Sequence, residues 1–125
     1  MKLPVAMSLL LLITALGWTA CDGEENYLDR ANCNGIDADL NTYNLRIKDI
    51  LNTSCALSGC HDAATQSNGH NLSTYTGARA VFESGPGLCA IYHGEDCEPM
   101  PKGGTKLNNA TLDFIACWAK NGYKE

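Results

Sequence analysis

The sequence predicts an all-α domain of about three helices joined by long loops, and three observations lead there. Apolar residues recur at helical spacing in the stretches 43–51, 75–82 and 112–119. The segments between them are polar or rich in Gly, Pro and Cys, which suits loops. Two cysteines and a histidine, Cys55, Cys60 and His61, follow directly on the first periodic stretch, so that helix delivers a chemical motif. With 125 residues, 18% charged and 45% hydrophobic, the chain fits one small domain plus processing segments. A core of that size commonly relies on a cofactor or on disulfides.

Taken in order, residues 1–20 form a leader. Lys2 supplies its positive end, and the apolar run from Val5 to Leu16 is too short for a comfortable transmembrane helix. Thr19 and Ala20 precede Cys21, an arrangement that resembles a bacterial lipoprotein signal. That resemblance implies cleavage before Cys21, lipid on its thiol and a membrane anchor. The alternative is an ordinary secretory leader that leaves Cys21 as a spare thiol. Residues 21–39 follow as an acidic tether, with Asp22, Glu24 and Glu25 next to the lipid site. Asp37, Asp39 and Asn41 imitate the start of a calcium loop. The pattern fails, because Thr42 occupies the turn-glycine position and Lys48 the position of the terminal acid.

The folded domain is expected over residues 40–125. Asn41 or Thr42 caps a first helix with Tyr43, Ile47, Ile50 and Leu51 on one face, ending near Asn52-Thr53-Ser54. After His61 comes a polar loop from Asp62 to Gly69. Ser73 or Thr74 opens a second helix through Tyr75, Ala78, Val81 and Phe82, stopped by Ser84-Gly85-Pro86-Gly87. The stretch from Leu88 to Gly104 reads as irregular. Asn108 or Asn109 caps the last helix, which carries Leu112, Ile115, Ala116 and Ala119 with Phe114 and Trp118 beside them, and ends at Asn121-Gly122.

Cys55-Ala-Leu-Ser-Gly-Cys60-His61 reads as a covalent haem attachment site. Two thiols can add to the two vinyl groups of a porphyrin, and the adjacent imidazole is delivered beneath the iron. Four residues separate the cysteines where two are usual, so Ser58-Gly59 must bulge outward, which Gly permits. Taken alone, the motif equally suits a disulfide or a zinc site. Downstream, Met100 stands between Pro99 and Pro101 on a loop whose backbone both prolines restrict. A thioether fixed in this way suits a soft ligand to iron, the other use being a polarisable filler of the core.

Of seven cysteines, Cys21 goes to lipid, and Cys55 and Cys60 to haem. Cys33, Cys89, Cys97 and Cys117 are left, an even number in an exported chain, with three possible connectivities. The expected pairs are Cys89–Cys97, closing a local loop, and Cys33–Cys117, tying the N-terminal segment to the last helix. The formal charge is −5, and the leader carries only Lys2, so cleavage makes the chain more acidic. That balance speaks against nucleic acid, whose binding depends on cationic groups.

From the first helix to the final Trp118-Ala-Lys-Asn-Gly-Tyr, with Met100-Pro-Lys-Gly-Gly between, residues 40–124 resemble a monohaem c-type cytochrome domain of the class I fold. The likeness is to the small domains carried on bacterial envelope lipoproteins. It implies one covalent haem c, held by Cys55 and Cys60 with His61 as proximal and Met100 as distal ligand. His70 and His93 compete for the distal position, and Tyr75 and Arg79 could bond the propionates. The function implied is single-electron transfer, without enzymatic turnover, between redox partner proteins of the envelope. The domain would be anchored by lipid to a membrane and face the periplasm or the cell surface. One alternative is a disulfide- or zinc-stabilised lipoprotein that binds a partner without redox chemistry. Another is a haem subunit of a larger oxidoreductase.

Overall fold

The computed structural model describes residues 26–83 and 85–125. The leader, Cys21, the acidic residues through Glu25, and Ser84 in the stop of the second helix lie outside the described residues. Among the described residues the chain is helical and has no strand, so the all-α expectation holds at that level. Four α-helices are present among the described residues: α1 (Lys48–Ser54), α2 (Tyr75–Glu83), α3 (Gly87–Tyr92) and α4 (Asn109–Lys120). Among the described residues no helix is long and apolar enough to cross a membrane.

A π-helical turn, Tyr43–Ile47, runs directly into α1. Its cap is Thr42, whose hydroxyl accepts from the Leu45 amide at 3.3 Å. The wider turn has a packing reason. Tyr43, Ile47 and Leu51 repeat every fourth residue, a spacing that drifts around an ordinary 3.6-residue helix, and widening keeps them on one side. All three are buried, while Ile50 lies at the edge of the core. Thr74 caps α2, accepting from the Gly77 amide at 3.2 Å, and Asn108 caps α4, accepting from Thr111 at 2.9 Å. At the far end of α4, Gly122 takes a φ of +79° and its amide donates to the Ala119 carbonyl, as the sequence leads one to expect.

Trp118 of α4 is fully buried at the centre, edge-on to Phe82 of α2 and to Tyr123. The C-terminal tail crosses this centre. The Lys124 carbonyl accepts from Trp118 Nε1 at 2.7 Å and from the Tyr43 amide at 2.9 Å, so one oxygen joins α4 to the start of the first helix. Tyr75 donates its hydroxyl to the Tyr123 carbonyl, and Tyr123 donates to that of Phe82. Lys124 closes the tail by pairing with Asp39 at 2.7 Å.

Two expectations are corrected. The stretch from Leu88 onward is not wholly irregular, because Gly87–Tyr92 forms α3, with Ala90, Ile91 and Tyr92 buried. Six residues are too few for a periodicity to register, and this helix exists because it packs on α2. Gly87 is where they meet: a Cβ there would lie 2.7 Å from Phe82 Cδ1 and 2.8 Å from the Val81 carbonyl. The packed domain also begins before Leu40. Tyr27–Arg30 forms a 3-10 turn, and Tyr27 stacks on Tyr92 at 5.7 Å between ring centres. The amide of Asn32 donates to Asp113 of α4, and Cys33 is bonded to Cys117. The Tyr27–Cys33 part of the supposed tether therefore lies against α3 and α4.

Candidate functional site

The sulfur, imidazole and thioether groups singled out in the sequence come together on one cavity. Its volume is about 570 Å³, and Cys55, Cys60, His61 and Met100 all line it. Aliphatic and aromatic side chains from α2 and α3, including Val81, Phe82 and Ile91, make its floor with Leu72. The size falls within the few hundred to a thousand Å³ of cavities that enclose small organic molecules.

The motif is built by the end of α1. The amides of Cys55 and Ala56 both donate to the Leu51 carbonyl, which closes the helix. The four intervening residues then turn outward. Cys60 donates its amide to the Leu57 carbonyl at 2.9 Å, with Gly59 at φ +81° in the third position of the turn, where a left-handed residue is needed. The His61 amide returns to the Cys55 carbonyl at 3.2 Å and shuts the loop. Cys55 and Cys60, five residues apart in sequence, thus both line the one cavity. Leu57, on this bulge, is 46% exposed, so one edge of the cavity reaches solvent.

His61 is buried, and its orientation is set from behind. Its Nδ1 lies 3.3 Å from the carbonyl oxygen of His70. A carbonyl only accepts, so Nδ1 carries the proton and donates, leaving the Nε2 lone pair for a metal. This is the usual arrangement behind a ligating imidazole. The Leu72 amide donates to the His61 backbone carbonyl, so the loop after the motif is tied to it.

Cys55 and Cys60 are both free thiols, and they do not form the disulfide the motif alone would allow. The other four cysteines pair as Cys33–Cys117 and Cys89–Cys97, with Cα separations of 5.7 and 5.9 Å. Burial, with a smaller contribution from the neighbouring Cys60, pushes the Cys55 thiol up to about 11. At pH 8 about one part in a thousand of it is thiolate, the reactive form. In chain free of any bound group, an alkylating reagent should label exposed Cys60 promptly and Cys55 far more slowly. The four paired cysteines should stay unlabelled until reduction. Mass mapping after timed labelling checks this, and equal rates at Cys55 and Cys60 would contradict the burial of Cys55.

Met100 is held at backbone level. Its amide donates to the Ala90 carbonyl at the end of α3, and His93 Nε2 lies 3.0 Å from its carbonyl. The Met100–Pro101 peptide is cis. Flanking it, Lys102 and Glu98 pair at 3.2 Å across an exposed surface.

Other expectations for the site change. His93 does not line this cavity, and its Nε2 is engaged with the Met100 backbone. His70 does line it, but its carbonyl sits behind His61, which puts that residue on the His61 side. Tyr75 and Arg79 are used elsewhere: Tyr75 bonds the Tyr123 carbonyl, and Arg79 forms two 2.9 Å bonds to Glu83. The polar residues that do line the cavity include Ser67 and Asn68, which sequence spacing did not single out. Asn68 adopts a left-handed conformation in a short 3-10 turn, a geometry visible only in three dimensions. Among the described residues no three His, Cys, Asp or Glu side chains converge as a structural zinc site requires.

One mostly apolar cavity is thus lined by two cysteines with free thiols, a histidine whose Nδ1 faces a carbonyl, and a methionine. Comparison with protein-family models finds no match for this chain, and the curated proteins and the solved structures likewise give none of significance.

Proposed function

We propose that this protein is a monohaem c-type cytochrome with a class I cytochrome c-like fold, a single-electron carrier of the bacterial cell envelope. The observation that carries the reading is the meeting of Cys55, Cys60, His61 and Met100 on one apolar-floored cavity, although Met100 follows His61 by about forty residues. Cys55 and Cys60 would hold haem c through thioether bonds, and His61 Nε2 and Met100 Sδ would be donors to its iron. When bound, the group supplies an Fe(III)/Fe(II) couple.

The residues of the chain do the rest. The His70 carbonyl fixes the tautomer and direction of His61 and raises its basicity. Phe82, Ile91 and Leu72 exclude water from the floor, which keeps the dielectric low. The Leu57 bulge leaves one edge near solvent, where a redox partner can approach. An anchor through lipidated Cys21 would keep the domain at a membrane.

The test is extraction with acid and organic solvent after denaturation. Haem should stay on the polypeptide, and Cys55→Ser with Cys60→Ser should release all of it. Haem that leaves the wild-type chain would refute covalent attachment. A non-redox lipoprotein would show no haem absorption at all, and a subunit of a larger oxidoreductase would co-purify with its partner.

A further inference from the structure

His93 closes α3 in the left-handed region, with φ 57° and ψ 48°. Glycine enters that region freely, whereas a residue with a Cβ does so at a cost. A histidine there calls for a use of its side chain, and the geometry supplies one. Its Nε2 lies 3.0 Å from the Met100 carbonyl, and because the carbonyl only accepts, the ring nitrogen is the donor.

The surroundings close the same point from other directions. The Ala90 carbonyl accepts from the Met100 amide at 3.0 Å and from the His93 amide at 3.2 Å. The Gly94 amide donates to the Cys89 carbonyl, and the Cys89–Cys97 bond spans the loop that contains His93. Tyr27 covers the outside: a Cβ on Gly94 would collide with its hydroxyl and come within 2.8 Å of Cys89 Sγ. Both backbone polar groups of Met100 are thus held by the end of α3, and Met100 is among the residues that line the cavity.

We propose that His93 is a positioning residue for Met100, its imidazole N–H clasping the Met100 carbonyl so that the thioether is presented to the cavity in one orientation. The consequence at iron rests on the cytochrome reading above, but the clasp does not. His93 acts here from outside the cavity and is not a ligand. Its ring nitrogen is spent on the backbone of the residue that would be one.

Substitution by glycine separates the ring from the helix end. If His93 served only as a backbone cap, His93→Gly would be neutral or favourable, since glycine suits that conformation. If the ring matters, His93→Gly keeps α3 and releases Met100, and His93→Gln, with an amide donor at similar reach, restores much of the hold.

The experiment is amide hydrogen exchange at Met100 in the purified full-length chain, followed by absorption spectra of its haem-bound form. His93→Gly should speed exchange at Met100 by roughly ten-fold or more while the amides of α4 keep their protection, and His93→Gln should recover most of it. With haem bound, His93→Gly should weaken the far-red band of sulfur ligation and let added imidazole bind roughly ten-fold more tightly than in wild type. Unchanged exchange at Met100 in His93→Gly overturns the proposal. If that variant does not fold, His93→Asn, which tolerates the left-handed region but is too short to reach, serves for the same comparison. Faster exchange in a chain that carries no haem would support the clasp and refute the cytochrome reading. Bound haem with unchanged exchange would do the reverse.

Discussion

Met100→Ala is expected to lower the reduction potential of the haem-bound protein by roughly 0.1–0.3 V, part of the ~0.8 V over which axial ligands tune haem. A soft, uncharged thioether favours ferrous over ferric iron, so its loss favours the ferric state. The far-red absorption of sulfur ligation should vanish, and the vacated position should open to water or added ligands. Met100→His should keep six donors, again at a lower potential. Because the Met100 backbone is tied to Ala90 and His93, truncation of the side chain leaves the loop in place. The change at iron should therefore come without general unfolding. Potentiometric titration with spectra checks it. Unchanged spectrum and potential would leave Met100 as a wall residue of the cavity.

Trp118→Ala should cost about 3–5 kcal/mol of folding stability, the range for deleting a large aromatic from a core. A domain of this kind commonly has about 5–15 kcal/mol in total, so the variant should be marginal at room temperature. Trp118 has no solvent exposure and contacts Tyr43, Phe82 and Tyr123 edge-on or tilted. Its Nε1–H also fixes the Lys124 carbonyl. Trp118→Phe separates the two contributions: it keeps much of the packing and loses the hydrogen bond. The Lys124 carbonyl would still receive the Tyr43 amide, so about 1 kcal/mol of the loss should be hydrogen bonding. Denaturant unfolding followed by tryptophan-independent circular dichroism measures both. Equal midpoints for wild type and Trp118→Ala would mean that the tail, and not the indole, holds the centre.

Much of this architecture was legible in the chain itself, because it depends on local periodicity and caps. The faces of α2 and α4, the caps at Thr42, Thr74 and Asn108, and the stop at Gly122 follow from residues within a turn or two of one another. The cysteine pairing was legible for another reason: removing Cys21, Cys55 and Cys60 left few combinations, and local closure favoured Cys89–Cys97. The Cys55-to-His61 run and the Pro-bracketed methionine stood out as candidate ligands, although the run taken alone suited a disulfide or a zinc site equally well.

Tertiary packing alone decided the rest. No periodicity announces α3, which is six residues long and exists because Gly87 lets it approach α2. The acidic stretch looked like a tether because its few apolar residues show no repeat. Tyr27 nevertheless finds Tyr92, and the Asn32 amide finds Asp113, across more than sixty residues. His93 looked like a rival ligand because sequence records which groups can bind iron but not which way they face. Its ring is turned to a carbonyl seven residues away, and that direction comes from the left-handed end of α3. The sequence determined which chemical groups and helices this protein has, through local rules of spacing and capping. Which groups share a cavity and which hold it from outside was decided by contacts between distant segments, which no local rule contains.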